Sequence, residues 1–167
     1  MSAVFGRGIA ISPACRPEEA RALLRDYTYA LDAGRLSEWP MFFTVQGLYR
    51  ITTRQNEEQG YPLSIMLCDN RNMLYDRVEA TEKANIYEPH YYRHILSDSQ
   101  PMEAKDGAAC ARTSFICVRT MLDGSTLLFA SGEYLDEVVR EDGVVRFRSK
   151  TVVLDQSRID TLIAIPL

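Results

Sequence analysis

The fold class is decided by Arg112–Leu154, which reads RTSFICVRTMLDGSTLLFASGEYLDEVVREDGVVRFRSKTVVL. Apolar and polar residues alternate along much of it with a period of two, the pattern of a β-strand with one covered face. Asp123-Gly124 and Asp142-Gly143 interrupt the pattern, and glycine readily adopts the positive φ that a tight hairpin turn requires. The stretch predicts three hairpin-linked strands: Arg112–Leu122, Thr126–Val139 and Val144–Leu154.

Basic residues occupy every second position in part of the last predicted strand. Arg146, Arg148 and Lys150 alternate with Val145, Phe147, Ser149 and Thr151. Because successive side chains of a strand point to opposite faces, this alternation predicts one wet face, which carries the three basic residues, and one covered face.

Upstream of Arg112 the sequence carries helical patterns and two further strand patterns. Pro17 and the two acids after it are typical of a helix start, and apolar residues then recur at helical spacing until Gly34. A second, short helix is expected to end at Trp39, because Pro40 disfavours helical geometry in the residue before it. The remaining predicted segments are a strand over Phe42–Thr53, a polar turn over Gln55–Gly60, a helix that Asp69 or Asn70 caps, and a strand over Tyr91–Leu96.

Helices first, followed by a run of hairpin-linked strands, predict an α+β fold. We expect a curved antiparallel or mixed sheet with the N-terminal helices packed on it. Residues 1–16 contain two glycines and a proline without any periodic pattern, and we interpret them as an extended arm. Residues 17–167 fit a single domain, since domains cluster near roughly 100 to 150 residues.

Composition argues against several classes of function. The 19 basic residues are scattered among 23 acidic ones, for a net charge of −4, so no basic stripe is available for nucleic acid. The longest apolar run, Leu162–Leu167, is far short of the roughly 20 residues that span a bilayer, and Arg7 interrupts the apolar N-terminus. We therefore expect a cytoplasmic protein without a membrane span, and its four cysteines are expected to be reduced.

The segment Pro89–His94 holds both histidines of the chain. On a strand, side chains four positions apart share a face, but their Cα atoms lie about 13 Å apart at roughly 3.3 Å per residue. His90 and His94 are therefore not expected to bind one metal ion. We expect His94 and Arg93 to form hydrogen bonds within the sheet or at a subunit contact.

A Rieske cluster is not expected in this chain, because it needs two cysteines and two histidines, and no cysteine lies within a few residues of either histidine. Acid–base catalysis in the mouth of a curved sheet, using Tyr49, Tyr91, Asp76 or His94, is one alternative. The other is that the nine tyrosines simply pack the interior.

Two further features concern contacts. Asp76 and Arg77 are neighbours on a predicted helix, where adjacent side chains point about 100° apart, so each is expected to pair elsewhere. The run Leu162–Leu167 is apolar at consecutive positions, so both faces of an extended segment need covering. That favours a partner or a buried edge.

Several motifs in a fixed order carry a resemblance to a known family. They are Glu38-Trp39-Pro40, Tyr49-Arg50-Ile51-Thr52, Asp76-Arg77-Val78, Ala84-Asn85-Ile86-Tyr87-Glu88, Tyr92-Arg93-His94-Ile95, Phe129–Tyr134 and Asp160–Leu167. Nearly everything after residue 20 resembles the small (β) subunits of ring-hydroxylating dioxygenases. Within that family the chain is similar to subunits of oxygenases that act on benzene carboxylates, such as terephthalate dioxygenase or a salicylate hydroxylase.

The resemblance implies a cone-shaped α+β fold like that of nuclear transport factor 2, also called cystatin-like. It implies a hexamer of three large and three small subunits, with the small subunits forming a trimer. The large subunit would hold the Rieske [2Fe-2S] cluster and the mononuclear non-heme iron, and separate components would deliver electrons from NAD(P)H. This chain would then be structural, with no catalytic, cofactor or metal residues of its own. The candidates for subunit contacts or structural roles are Trp39, Asp76, Arg77, Arg93, His94, Tyr134, Leu162, Ile163, Ile165 and Leu167.

Two alternatives remain at this level. One is a freestanding isomerase or dehydratase of the same fold, with His94, Tyr91 and Asp76 as acid–base groups. The other is a small-ligand binding protein, which would bind an aromatic acid saturably.

Overall fold

A computed structural model describes residues 15–84, 87–157 and 163–167 of the chain. Most of the predicted arm, residues 1–14, lies outside the described residues, and Cys15, which the prediction includes in the arm, is buried. The division into an arm and one domain over 17–167 stays a prediction. In the described parts of the chain, no helix is both long and apolar enough to cross a membrane.

The α+β prediction is confirmed: helices come first, and a sheet of seven described strands dominates the rest. A 3₁₀ helix over Leu36–Phe42 follows the first α-helix. The α-helices are α1 Pro17–Asp32, α2 Arg54–Glu58 and α3 Arg71–Ala84, and the strands are β1 Phe43–Thr53, β2 Met66–Cys68, β3 His90–Leu96, β4 Gln100–Lys105, β5 Ala108–Met121, β6 Thr126–Glu141 and β7 Val144–Leu154.

The sheet is curved and mixed. Its strand order is β2-β1-β7-β6-β5-β3, and β4 pairs with β5 beyond the end of β3. All described pairs are antiparallel except β1 with β7, which is parallel. The parallel pair arises because the chain passes through α3 and four further strands before β7 returns beside β1.

Both predicted hairpin turns are confirmed. Asp142 (φ 50°) and Gly143 (φ 79°) both have positive φ, as a two-residue turn of the mirror-image type requires. Asp106 (φ 47°) and Gly107 (φ 76°) form a third such turn between β4 and β5, which the sequence analysis missed. Strand β4 is exposed along its whole length and contains Pro101, so it lacks the alternation that reveals a strand.

Two local predictions in the first half of the chain were wrong. Pro40 does not end the second helix but lies inside the 3₁₀ helix, which continues to Phe42. The predicted polar turn over Gln55–Gly60 is mostly the helix α2, whose first turn is capped by Thr53, since Thr53 Oγ1 accepts from the Asn56 N–H at 3.2 Å. For α3, Asn70 supplies the predicted cap.

The prediction for β7 was wrong in one respect that matters for function. Val138 pairs with Phe147 and Glu137 pairs with Ser149, so Arg148 is the extra residue of a β-bulge. The bulge reverses the alternation, and Lys150 faces the covered side together with Phe147. Lys150 is fully buried, whereas the sequence pattern predicted a solvent-exposed side chain.

Aromatic side chains fill the space between the helices and the covered face of the sheet, which we call the interior. Trp39 packs edge-on against Tyr49, with ring centroids 5.0 Å apart, and Phe43 lies 5.9 Å from the same tyrosine. From α1, Tyr27 reaches Phe147 at 5.5 Å. Edge-to-face packing of this kind adds about 0.5–1.5 kcal/mol per pair beyond area burial.

Candidate functional site: the interior and the outer face of the sheet

A buried ion pair joins β6 and β7 in the interior. Lys150 Nζ lies 3.1 and 3.3 Å from the two carboxylate oxygens of Asp136, and the side chains are 0% and 3% exposed. The ammonium group also lies over the rings of Tyr134 at 3.6 Å and Tyr27 at 4.7 Å. Burial lowers the pKa of Lys150 to about 8 and raises the pKa of Asp136, and in each case the partner's charge opposes the shift.

Sequence reasoning missed this pair, although one signal was available. Tyr134, Asp136 and Val138 follow one another at period two on β6, so the acid stands among covered positions. A carboxylate on a covered face needs a cation or donors nearby.

Leu167 also lies in the interior, between two tyrosines. Tyr27 Oη donates to the Leu167 carbonyl oxygen at 2.7 Å, and Tyr49 Oη donates to the same oxygen at 3.1 Å. The Leu167 N–H donates back to Tyr49 Oη at 3.0 Å. Burial raises the pKa of both phenols, so both keep their protons. These tyrosines therefore bind the chain's own backbone.

Helix α3 holds the segment that leads to Leu167. Arg77 Nη2 donates to the Ile163 carbonyl oxygen at 2.7 Å, so Arg77 pairs away from Asp76 as expected. Thr81 Oγ1 lies 3.2 Å from the Ala164 carbonyl oxygen. The described part of the predicted apolar run is thus covered largely by this chain itself. Leu162 lies outside the described residues.

A second buried pair ties the end of α1 to the edge strand β3. His94 Nδ1 lies 2.6 Å from Asp32 Oδ1, and the His94 backbone N–H donates to Asp32 Oδ2 at 3.0 Å. The side chains are 0% and 5% exposed. His94 thus bonds to a helix rather than within the sheet. An acid in the last turn opposes the helix dipole, which signals in the sequence that Asp32 needs a partner.

A carboxylate that orients an imidazole is an arrangement used in general acid–base catalysis. The outer nitrogen, His94 Nε2, is buried and has no hydrogen-bond partner among the described residues. The rings of Tyr92 and Phe115 lie 6.1 and 6.5 Å from the imidazole. This arrangement holds the imidazole inside the core.

His94, Tyr91 and Asp76, the acid–base groups of the alternative hypothesis, do not lie together in one site. His94 is enclosed, whereas Tyr91 is exposed on β3 and Asp76 is exposed on α3. Tyr49, the fourth candidate, is bonded to Leu167. The structure therefore does not bring these groups together around one substrate.

The histidines do not fit a metal site. His90 Nδ1 lies 2.7 Å from the Glu88 carbonyl oxygen, and His94 Nδ1 is bonded to Asp32. The ring of Tyr92 lies between the two, 4.7 Å from one imidazole and 6.1 Å from the other. Over the described ranges, no three His, Cys, Asp or Glu side chains cluster as metal ligands would.

The opposite face of the sheet exposes apolar side chains. We call Tyr91, Ile95, Ile116 and Leu128 the outer patch; each is between 42% and 64% exposed. Ile95 lies directly opposite Ile116, and Leu128 lies opposite Val118, so the patch crosses β3, β5 and β6 on one face. Contiguous exposed apolar patches on a soluble protein usually mark an interaction site.

The remaining candidates for subunit contacts differ in how deeply they are buried. Three are fully buried within this chain and so act structurally: Trp39, Tyr134 and Leu167. Ile163 is also buried, Ile165 is partly buried, and Arg93 and Asp76 are exposed. Their contacts with another subunit stay predictions.

Comparison with known proteins gives consistent matches. Residues 27–161, more than half of the chain, match the family model described as ring hydroxylating beta subunit. The terminal oxygenase component subunit beta 1 of terephthalate 1,2-dioxygenase from Comamonas sp. is 40% identical over 141 residues, which cover 84% of this chain and 92% of the relative. The anthranilate 1,2-dioxygenase small subunit of Burkholderia cepacia is 37% identical over 149 residues, with 89% and 92% covered.

A solved structure agrees with the sequence matches. The beta subunit of a proposed aromatic-ring-hydroxylating dioxygenase from Novosphingobium aromaticivorans superimposes with a TM-score of 0.81 and 32% identity, covering 90% of this chain and 96% of that one. The beta subunit of benzoate 1,2-dioxygenase from Burkholderia mallei, at 17% identity and a TM-score of 0.67, shares the fold. The chain belongs to the ring hydroxylating beta subunit family, the small subunits of aromatic-ring-hydroxylating dioxygenases.

Proposed function

We propose that this chain is a non-catalytic subunit that supports a large oxygenase subunit. The large subunit would hold the Rieske [2Fe-2S] cluster and the mononuclear iron and would oxidise the ring. The observation that carries the proposal is the filled interior, where Tyr27 and Tyr49 bind the backbone of Leu167. The hydroxyls of these two tyrosines, which could otherwise face a substrate, are thus committed to the chain's own contacts.

The outer patch supports an assembly role. Its apolar side chains lie side by side across three strands and are accessible in the isolated chain. Burying such surface in a protein–protein contact is favourable by roughly 25 cal/mol per Å² before the costs of association. We infer a hexamer of three large and three small subunits, with contacts among the small subunits as well.

The substrate belongs to the same proposal. The relatives are named for terephthalate and anthranilate, which are both aromatic carboxylates. We infer a carboxylated aromatic ring as the substrate of the complex, held by the large subunit. Electrons would come from NAD(P)H through separate components, and the complex would be cytoplasmic.

The test is reconstitution with the large subunit. The large subunit is purified with and without this chain, and its thermal stability and ring-hydroxylating turnover are measured. We expect both to fall sharply without this chain. Full stability and turnover of the large subunit alone would contradict the proposal.

A matched pair of variants tests the surface. Ile116→Glu places a charge in the outer patch, and Leu63→Glu places the same charge on an exposed leucine outside it. We expect Ile116→Glu to prevent assembly and Leu63→Glu to leave it unchanged. Equal assembly by both variants would rule out the outer patch as the contact surface.

A further inference from the structure

A pocket of about 220 Å³ lies between the end of α1 and the start of β3, and we call it the α1–β3 pocket. Asp32, Tyr87, His90 and Tyr92 line it together with the apolar residues Leu31, Leu36 and Ile165. Among the described residues of the lining there is no lysine or arginine, and Asp32 is the one acid. The described lining is therefore mainly apolar and aromatic, with a single carboxylate.

Three rings stand in a row along one wall. The centroid of His90 lies 5.6 Å from Tyr87 and 4.7 Å from Tyr92. The faces of tyrosine rings carry negative electrostatic potential and attract cations within about 6 Å. Tyr92 is buried and stacks on Phe129 with ring centroids 5.2 Å apart, so Tyr87 is the better candidate for such a contact.

Two side chains of the lining, His90 and Asp32, can accept hydrogen bonds, whereas the tyrosine hydroxyls can both donate and accept. A carbonyl oxygen only accepts, so the contact between His90 Nδ1 and the Glu88 carbonyl oxygen places the proton on Nδ1. The neutral ring then presents a lone pair at Nε2. This atom is buried and has no hydrogen-bond partner in the parts of the chain that the structure describes. A buried acceptor of this kind favours a ligand that donates.

The cation nearest to the Asp32 carboxylate, Arg93, forms only a weak ion pair with it. Both of its oxygens accept from His94, and Arg93 Nη1 lies 3.9 Å from Oδ2, the outer limit of an ion pair. The Arg93 side chain is 68% exposed, so water screens it. A second cation in the pocket would add to the stabilisation of this carboxylate.

We propose that the α1–β3 pocket binds a guanidinium or primary ammonium group. The Tyr87 ring, the His90 acceptor and the Asp32 carboxylate favour a donating cation. An aromatic acid would bring a negative charge against Asp32 and is disfavoured. The cation is either a free organic amine or an arginine or lysine of the large subunit. Tyr91 belongs to both the pocket lining and the outer patch, so a partner on that patch would lie next to the pocket.

The experiment titrates the full chain with ethylguanidinium, ethylammonium and benzoate, followed by NMR signals of the His90 and Tyr92 rings. We expect saturable shifts with the cations and none with benzoate. His90→Phe keeps a ring but removes the acceptor, and we expect roughly tenfold weaker binding. Arg93→Gln removes the competing cation and should tighten binding, whereas Arg112→Gln, the same charge change elsewhere, should not.

Saturable benzoate binding without cation binding would overturn the proposal, as would cation binding that neither His90→Phe nor Arg93→Gln alters. A titration of the complex with the large subunit identifies the source of the cation. Loss of binding in the complex indicates a side chain of the partner, and retained binding indicates a free amine. Only the titration of the complex depends on the proposed function. If no complex forms, that function fails, while the titration of the isolated chain still decides the pocket.

Discussion

The covered face and the outer face of the sheet differ in which side chains they bury and which they expose. The interior is mainly apolar and aromatic, and the charged pair Lys150–Asp136 is buried within it. On the outer face, Ile116 and Leu128 stand in solvent. An antiparallel sheet with one free face normally buries apolar residues and exposes polar ones. The outer patch departs from that rule, and we expect it to contact another protein, while the interior packs and stabilises this chain.

Strand β3 shows the contrast within a few residues. Tyr92 and His94 point inward and are buried, whereas Tyr91 and Ile95 point outward and are exposed. The apolar character of both sides explains why an aromatic run, rather than a clean alternation of polar and apolar residues, marks this strand.

The largest effect on stability is expected from breaking the interior ion pair. Lys150→Met leaves Asp136 charged and buried without a cation, which should lower the free energy of unfolding by about 3–5 kcal/mol. The double variant Lys150→Met/Asp136→Leu should recover most of that loss. Urea unfolding of the three proteins measures both effects. A single variant within about 1 kcal/mol of the wild type would mean that the pair is not buried as described.

A smaller loss of stability is expected when the Tyr49 hydroxyl, which binds Leu167, is removed. Tyr49→Phe removes the hydroxyl that contacts both the carbonyl oxygen and the N–H of Leu167. Loss of a buried partner of this kind should cost about 1–3 kcal/mol. Tyr29→Phe, on an exposed ring, is the control and should change the stability little. Equal stabilities would contradict the role given to Leu167.

The buried ion pair of Lys150 and Asp136 should also make the stability depend on pH. Burial lowers the pKa of Lys150 from 10.5 to about 8, so between these values the unfolded chain binds more protons than the folded one. The wild type should therefore gain stability, relative to Lys150→Met/Asp136→Leu, as the pH rises from about 8 toward 10.5. Comparing the two proteins cancels the cysteine and tyrosine titrations. A difference that is constant or falls over this range would contradict the prediction.

The smallest effect on stability is expected on the outer face. Ile116→Glu should change the free energy of unfolding of the isolated chain by no more than about 0.5 kcal/mol, because the side chain is already exposed. Thermal unfolding of the isolated variant checks this. A loss comparable to that of Tyr49→Phe would show that the outer patch contributes to folding and would erase the contrast between the two faces.

The sequence predicts the elements whose patterns are long and local. Helix α1 and the last strand, Val144–Leu154, follow from their periodicity, and Asp142-Gly143 follows from turn chemistry. Strand β2 is three residues long and carries no period to detect. Strand β4 is exposed throughout and carries no alternation.

The polar contacts of the interior depend on information that local patterns lack. One extra residue at Arg148 moves Lys150 to the opposite face, because a one-residue shift flips every side chain that follows it. The contact between Asp32 and His94 joins positions 62 residues apart, which only the folded topology brings together. Sequence reasoning therefore singled out His94 and expected it to form hydrogen bonds, but did not identify Asp32 as its partner.

The central claim is that this chain contributes assembly and no chemistry, and turnover per assembled complex tests it most directly. His94→Gln replaces the imidazole that is best placed for acid–base work and keeps a donor for Asp32. The variant is assembled with the large subunit, and hydroxylation per complex is compared with the wild type. We predict a rate within about twofold of the wild type. A fall of about a hundredfold in fully assembled complex, the scale of a lost general acid or base, would contradict the claim.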